Sequence, residues 1–226
     1  MKRSMIDYRG LSLRRIREPQ FSHLLLIIGW IVYFALYFLT ENLIPRESCH
    51  LVHSRLDDLI PFREEFVIFY CFWYLLVFGS LLYYLLYDRE RFTRLQVYIM
   101  FTQAVAMIVY ILWPSIQDLR PETFPRENFF TWVLSLIYAF DTPTGVCPSL
   151  HVAYSMGILS VGLKDRDLAA GWKVALAVFI LGICAAVCFV KQHSAVDVAA
   201  ALPVCLLAEI IVYGRDYWLP KFGKTA

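Results

Sequence analysis

The amino-acid sequence predicts an all-α integral membrane bundle: one domain over residues 1–226, six transmembrane helices, and both termini in the cytoplasm. Three observations predict it. The chain is 59% hydrophobic, against about 45–50% apolar residues in a soluble domain. Its apolar residues fall into runs of about 20, the length of helix that crosses a hydrocarbon core roughly 30 Å thick. Its basic residues cluster in alternate connections between those runs. Helix is the expected form of each crossing, because hydrocarbon offers no water to an unpaired backbone group.

Five runs are plain, at 22–44, 66–87, 95–114, 172–190 and 194–213. A sixth, at 149–163, is shorter and carries polar residues; it lies between two clear spans and ends in the charged turn Lys164-Asp165-Arg166-Asp167. A further apolar stretch, 128–140, is too short to cross and is expected at the interface or as a re-entrant helix. The first run is too long for a cleaved leader and no small-residue cleavage site follows it, so it reads as a signal anchor.

The net charge of +2 says little about partners. Its distribution says more. The arm 1–21 holds Lys2, Arg3, Arg9, Arg14, Arg15 and Arg17; the second connection holds Arg89, Arg91 and Arg94; the fourth holds Lys164 and Arg166, with Lys173 just beyond; and the tail 214–226 holds Arg215, Lys221 and Lys224. That places 15 of the 21 basic residues on one side, which the positive-inside rule makes cytoplasmic. Juxtamembrane contact with anionic lipid explains the basic arm, and no nucleic-acid partner is expected. Glu209 is expected near the cytoplasmic end of the last span, within reach of the interface or of Arg215.

Two connections on the opposite side are long, at about 45–65 and 115–148, and a brief turn lies near 191–193. In the first, His50, His53, Asp57 and Asp58 invite a metal reading. Apolar residues at 51, 52, 56, 59 and 60 instead follow a helical stripe that suits a short amphipathic surface helix closing over a substrate. Cys71, Cys184, Cys188 and Cys205 fall within spans and are expected to pack; Cys49 and Cys147 both lie in outer connections, where a disulfide is open to them.

Three outer segments carry residues that could do chemistry: Leu119-Arg120-Pro121, Cys147-Pro148-Ser149-Leu150-His151 and Val190-Lys191-Gln192-His193-Ser194-Ala195-Val196-Asp197. On a helix, His193 and Asp197 share a face. The carboxylate can accept one imidazole N–H and leave the other nitrogen as a nucleophile; a structural pair tying two helices together is an equal alternative. Pro148 and Ser149 suit a helix start, with Ser149 as its cap, where backbone N–H groups favour an anion and His151 sits in the first turn. Arg120 and Lys191 add two cations. Two imidazoles, a carboxylate, a hydroxyl and two cations on one face are what phosphoryl transfer through a phosphohistidine needs.

These residues resemble the type-2 phosphatidate phosphatase superfamily of helical lipid phosphatases and phosphotransferases. Its pattern is a Lys followed at a distance by Arg-Pro, then Pro-Ser-Gly-His, then Ser-Arg followed by His-x-x-x-Asp. Arg120-Pro121 matches the end of the first part, Pro148-Ser149-Leu150-His151 the second, with Leu150 in place of Gly, and His193 with Asp197 the third. Two cations of the pattern are missing: Trp113 stands where the Lys is expected and Ala186-Val187 where Ser-Arg is. Lys191 is expected to replace one of them. Leu150 and the Lys-Gln-His-Ser run look like the branch containing inositol phosphorylceramide synthases and their bacterial relatives.

The resemblance implies that His193 attacks a lipid phosphate, Asp197 fixes its tautomer, His151 is the general acid and base, and Arg120, Ser149 and Lys191 hold phosphoryl oxygens, with no metal or cofactor. Water as acceptor makes the protein a lipid phosphatase, the first expectation. An alcohol acceptor makes it a head-group phosphotransferase resembling inositol phosphorylceramide or sphingomyelin synthases. An inert membrane scaffold and a small transporter are the readings from other classes. The charge-derived topology puts the site on the non-cytoplasmic face, which in a bacterium is the outer face of the plasma membrane and in a eukaryote a lumen or the cell exterior.

Overall fold

The computed structural model describes residues 3–222; Lys2 and Lys224, two of the residues expected on the cytoplasmic side, lie outside them. The main helices are α1 (Ile28–Leu43, preceded by a 3-10 turn over Ser22–Ile27), α2 (Arg55–Leu59), α3 (Val67–Tyr87), α4 (Arg89–Leu112), α5 (Phe129–Phe140), α6 (Leu150–Lys164), α7 (Ala170–Phe189) and α8 (Ala195–Tyr213). A π-helical turn (Gly214–Trp218) and a last short helix follow. Five helical stretches are long and apolar enough to cross a membrane: Ser22–Leu43, Glu64–Tyr87, Arg89–Leu112, Ala170–Phe189 and Ala195–Lys221.

The run expected as a sixth crossing forms α6, which has only 15 residues, a rise of about 22 Å, and is not among the five helices long enough to span. It sits at the centre, packed by α3, α4, α7 and α8, so Ser155 and Ser160 are buried in protein. The same enclosure explains why this run is the least apolar of the six. Close approach to α4 depends on Gly157, where a Cβ would stand 2.7 Å from the Tyr98 ring. α4 begins six residues before the expected span, because the Asp88 carboxylate caps it by accepting the Arg91 N–H at 2.9 Å; a capped start satisfies an orphan donor and lets the charged turn be helical. α5 is the 12-residue helix anticipated at 128–140, capped by Asn128, with Leu134 buried and Phe129, Trp132, Leu136 and Phe140 exposed.

The two ends of the bundle differ. At one end Arg3 reaches Asp165 at 2.5 Å, Asp167 at 3.0 Å and Asp88 at 3.4 Å, so this arm cation is held by the protein's own carboxylates and not left for lipid. Glu209 there pairs with Lys164 at 2.6 Å and accepts from the Trp218 indole at 2.6 Å, where the sequence offered the interface or Arg215. At the other end the long connections are knitted together. Strands β1 (His50–Leu51) and β2 (Ser115–Ile116) pair in parallel, His50 with Ser115 and Leu51 with Ile116, and Ile116 bridges to Thr144. Gly145 turns the chain here with φ of 60°, a left-handed backbone that glycine adopts without a Cβ clash.

In the first outer connection a short helix forms over part of the expected stripe, the five-residue α2, with Leu56 and Leu59 exposed; Leu51, Val52 and Ile60 lie outside it. Asp57 explains why. Its buried carboxylate accepts from the Ser194 hydroxyl at 2.6 Å and the Ala195 N–H at 2.7 Å, and from Ser54 at 2.8 Å. One side chain thus closes its own turn and caps the start of α8. Burial works to raise the Asp57 carboxyl, but these donors prevail and hold it below its ordinary value. Asp57→Ala is expected to destabilise the protein by about 1–2 kcal/mol, by orphaning a helix-start N–H and a buried hydroxyl. Thermal unfolding in detergent reads the loss, and hydrogen exchange should localise it to residues 54–60 and the first turn of α8.

Candidate functional site

The end of α7 sets the site. Its last carbonyls are satisfied by a reversal in which the N–H groups of Gln192 and His193 both donate to the Val187 carbonyl, at 2.9 and 3.0 Å. Lys191 occupies the left-handed position of that reversal with φ of 53°, a place where glycine is usual. The turn swings His193 back over the bundle. α8 then starts on a capping box in which the Ser194 side chain and the Asp197 carboxylate satisfy each other's backbone N–H groups. His193 precedes this helix. It meets Asp197 through the capping turn and not, as expected, along a shared helical face: Asp197 Oδ2 accepts the Ser194 N–H at 2.9 Å and lies 3.2 Å from His193 Nδ1.

His151 comes from the opposite wall. Ser149 is the N-cap of α6, its hydroxyl 3.5 Å from the Val152 N–H and its own N–H donating to the Asp197 carbonyl at 3.1 Å. The Trp73 indole donates to the His151 carbonyl at 3.1 Å, and the Tyr110 hydroxyl donates to the Pro148 carbonyl at 2.8 Å. The imidazole of His151 packs against the rings of Trp73 and Tyr70, with centroids 4.2 and 4.8 Å away. Its Nδ1 lies 3.1 Å from His193 Nε2. The result is a row, His151–His193–Asp197, in which the carboxylate takes one N–H of His193 and its second nitrogen faces the other imidazole. His151 Nε2 is buried with no hydrogen-bond partner among the described residues.

The row opens onto a cavity of about 610 Å³. Its mouth is polar, with His151, His193, Gln192, Asp141, Thr142 and Thr144; the Glu41 carboxylate accepts from both threonine hydroxyls. Its body is apolar and lies between α1 and α3, along Trp30, Phe34 and Tyr37 on one side and Trp73, Val77, Leu81 and Leu85 on the other. The α3 lining alone extends about 18 Å, a little more than half the roughly 30 Å hydrocarbon core.

The two cations lie differently from the expected pair. Lys191 donates to the carbonyls of Asp57 at 2.9 Å and Ile60 at 2.6 Å, so its ammonium tethers the first outer connection and is not brought to the histidines. Arg120 lies over the Tyr138 ring, 4.6 Å from its centroid, and donates to the carbonyls of Tyr138, Asp141 and Thr142 at 3.3, 2.8 and 3.3 Å and to the Gln192 amide oxygen at 2.6 Å. Burial lowers the Arg120 guanidinium from its ordinary value and raises the neighbouring Asp141 carboxyl, which accepts from the Tyr70 hydroxyl at 3.2 Å. Sequence reasoning missed Gln192 and Asp141, and weighed Asp57 only as a metal ligand and not as the cap of α8. Gln192 stands beside a singled-out histidine, so its position was the available signal; Asp141 and Asp57 reach the site only through contacts distant in sequence.

Cys49 and Cys147 are both free. Burial, chiefly, pushes the Cys147 thiol up to about 12, which leaves it a poor nucleophile at neutral pH. His53 has a carboxylate on each nitrogen, Asp118 on Nδ1 and Asp58 on Nε2, both at 2.9 Å. Among the described residues no group of three or more His, Cys, Asp and Glu converges as a metal site. The hydrogen bond with Asp118, then that with Asp58, raises the His53 imidazole above its ordinary 6.5. A raised imidazole contributes stability that is full below 6.5 and is lost as pH rises through the folded value. The pin between the first outer connection and the β2 segment is therefore expected to loosen as pH rises through that raised value. Amide exchange at residues 50–58 should quicken with pH beyond its intrinsic dependence, and His53→Ala should remove that excess.

Compared with protein-family models, with curated proteins and with solved structures, the chain finds no match in any of the three.

Proposed function

We propose that this chain is a metal-independent lipid phosphatase of the type-2 phosphatidate phosphatase kind, working through a phosphohistidine at His193. The observation that carries the reading is the hydrogen-bonded row His151–His193–Asp197 at the polar mouth of an apolar chamber that lies along membrane-crossing helices. An apolar chamber with a few convergent polar groups is the ordinary form of a small-molecule site, and one within a bilayer suits an acyl chain.

In this account the lipid phosphate enters at the mouth and separates the two imidazoles. Nε2 of His193 forms a bond to phosphorus as the bond to the leaving oxygen breaks. His151, in its imidazolium form beside the anionic substrate, gives that oxygen a proton. The positive charge that develops on His193 is held by Asp197 through Nδ1–H, the role an orienting carboxylate has for an imidazole. Neutral His151 then takes a proton from water, whose oxygen attacks phosphorus and breaks the N–P bond, returning His193 and releasing phosphate. Ser149 supports this row as the helix cap of His151 and through its bond to Asp197. Six crossings, with α6 as the central one, and a site on the non-cytoplasmic face of the plasma membrane belong to the same proposal.

A second reading, head-group phosphotransfer, is favoured by the polar mouth. Asp141, Thr142, Thr144 and Glu41 offer acceptors and hydroxyls next to the histidines, which suits a hydroxylated acceptor in place of water. Purified protein incubated with labelled phosphatidate and phospholipids, with and without inositol, separates the two. Inorganic phosphate release that depends on His193 establishes the phosphatase; a new phospholipid that depends on His193 establishes the transferase.

A further inference from the structure

We infer that the side-chain amide of Gln192 is a ligand of the phosphoryl oxygens, and that the site selects a singly charged lipid phosphodiester over a doubly charged phosphate monoester. This rests on the phosphoryl-transfer reading of His193. Gln192 is buried and lines the mouth of the chamber next to His193. Its orientation is set by Arg120: a guanidinium can only donate, so the amide oxygen faces it at 2.6 Å. The NH2 group is thereby turned away from Arg120, and it is buried with no hydrogen-bond partner among the described residues. A buried orphan donor is costly unless a ligand satisfies it.

The charge around it favours one class of ester. The four terminal N–H bonds of Arg120 are matched by four acceptors, which leaves its buried Nε–H as the one guanidinium donor without a partner among the described residues, and Lys191 is committed to the first outer connection. Against one guanidinium stand three carboxylates: Asp141, Asp197 and, behind Thr142 and Thr144, Glu41. Hydrogen bonds from a neutral amide suffice for a monoanion, whereas a dianion calls for cations of the kind that bind phosphate as forks or point charges. With a diester, the bond from His193 Nε2 to phosphorus forms as one ester oxygen departs with a proton from His151. The other ester stays on phosphorus throughout: an alcohol or water oxygen attacks, giving its proton to His151, as the N–P bond breaks, so that His193 is returned and the product keeps that ester. This favours the phosphotransferase reading.

The test uses the full chain in detergent with two lipids that differ by one methyl group on the phosphate, dioctanoyl phosphatidate and dioctanoyl phosphatidylmethanol. At pH near 7.5 the diester is expected to have the higher kcat/KM, by about tenfold. The ratio should narrow as pH falls through roughly 6, where the monoester takes its second proton. The enzyme groups that face the site, His151, His193, Asp197, Asp141, Arg120 and the Tyr70 hydroxyl, are common to both substrates, so the diester profile is the reference for the pH dependence of the enzyme itself. Gln192→Leu should lower diester turnover about tenfold, the scale of one lost hydrogen bond to a charged group. Gln192→Glu, which keeps the contact with Arg120 and so protects the fold, should lower it further. A monoester preferred at pH 7.5 in a His193-dependent reaction overturns this inference and leaves the phosphohistidine reading intact, as does full diester activity in both Gln192 variants. Turnover of neither ester, or turnover that survives His193→Ala, overturns both.

Discussion

Replacing His193 by alanine is expected to reduce lipid turnover by about four orders of magnitude or more, since no other group in the row can form the covalent intermediate. The inventory of nearby nucleophiles supports so large an effect. The Cys147 thiol is buried and pushed up to about 12, and the Ser149 hydroxyl is buried at the N-cap of α6. His151 offers an imidazole, but the carboxylate that orients an attacking nitrogen is on His193, 3.2 Å away through Nδ1. Folding should survive, because the capping box of α8 and the Asp57 contacts use Ser194, Ala195 and Asp197 and do not use the His193 ring. Phosphate and new lipids should be followed together, beside thermal unfolding. Turnover equal to wild type removes the catalytic assignment, and the scaffold reading takes its place; substrate-dependent flux into vesicles without head-group turnover brings in the transporter reading instead.

His151→Ala should leave a slow enzyme, reduced about 10²–10⁴-fold, the usual contribution of general acid–base catalysis. The loss should depend on the leaving group. A lipid ester that departs as a poorly basic phenolate needs little protonation, so the variant should come closest to wild type on an aryl phosphate and fall furthest on an alkyl one. Because the two imidazoles act as a unit, the double variant His151→Ala with His193→Ala should be no slower than His193→Ala alone. A His151 variant as inactive as His193→Ala on every leaving group would give His151 a structural role, which its packing against Trp73 and Tyr70 would then explain.

The membrane-crossing elements were legible because each is a local property of the chain. A run of apolar residues long enough to span needs no partner to declare itself, and 66–87, 172–190 and 194–213 fall within a few residues of α3, α7 and α8. α6 was legible in position and not in character: its polar residues and short length express enclosure by four neighbours, a tertiary fact. The histidine row was half legible. Spacing brought His193 to Asp197, although the contact is made by a capping turn, and Ser194-x-x-Asp197 carries the signature of that turn. The pairing of His151 with His193 across 42 positions rested on the shared face and on the resemblance. The cations were misjudged because charge alone does not say where a long side chain ends. Lys191 sits at a left-handed helix terminus that points it at the Asp57 and Ile60 carbonyls, and the terminal N–H groups of Arg120 are taken by three backbone carbonyls and an amide. Gln192, neutral and uncharged by type, was passed over for the same reason.

The central claim is that phosphorus is carried on a nitrogen of His193, and the most direct measurement is to trap it there. Protein with His151→Ala, in which release of the phosphoryl group should be slowed, is mixed with labelled lipid and quenched in base, where phosphohistidine persists. Peptides are then read by mass spectrometry. The account predicts label on the peptide containing residues 192–197, localised to His193, lost on acid treatment and absent from His193→Ala. Label on another residue, or product formed over many turnovers with no trapped phosphoryl group at any quench time, would contradict it.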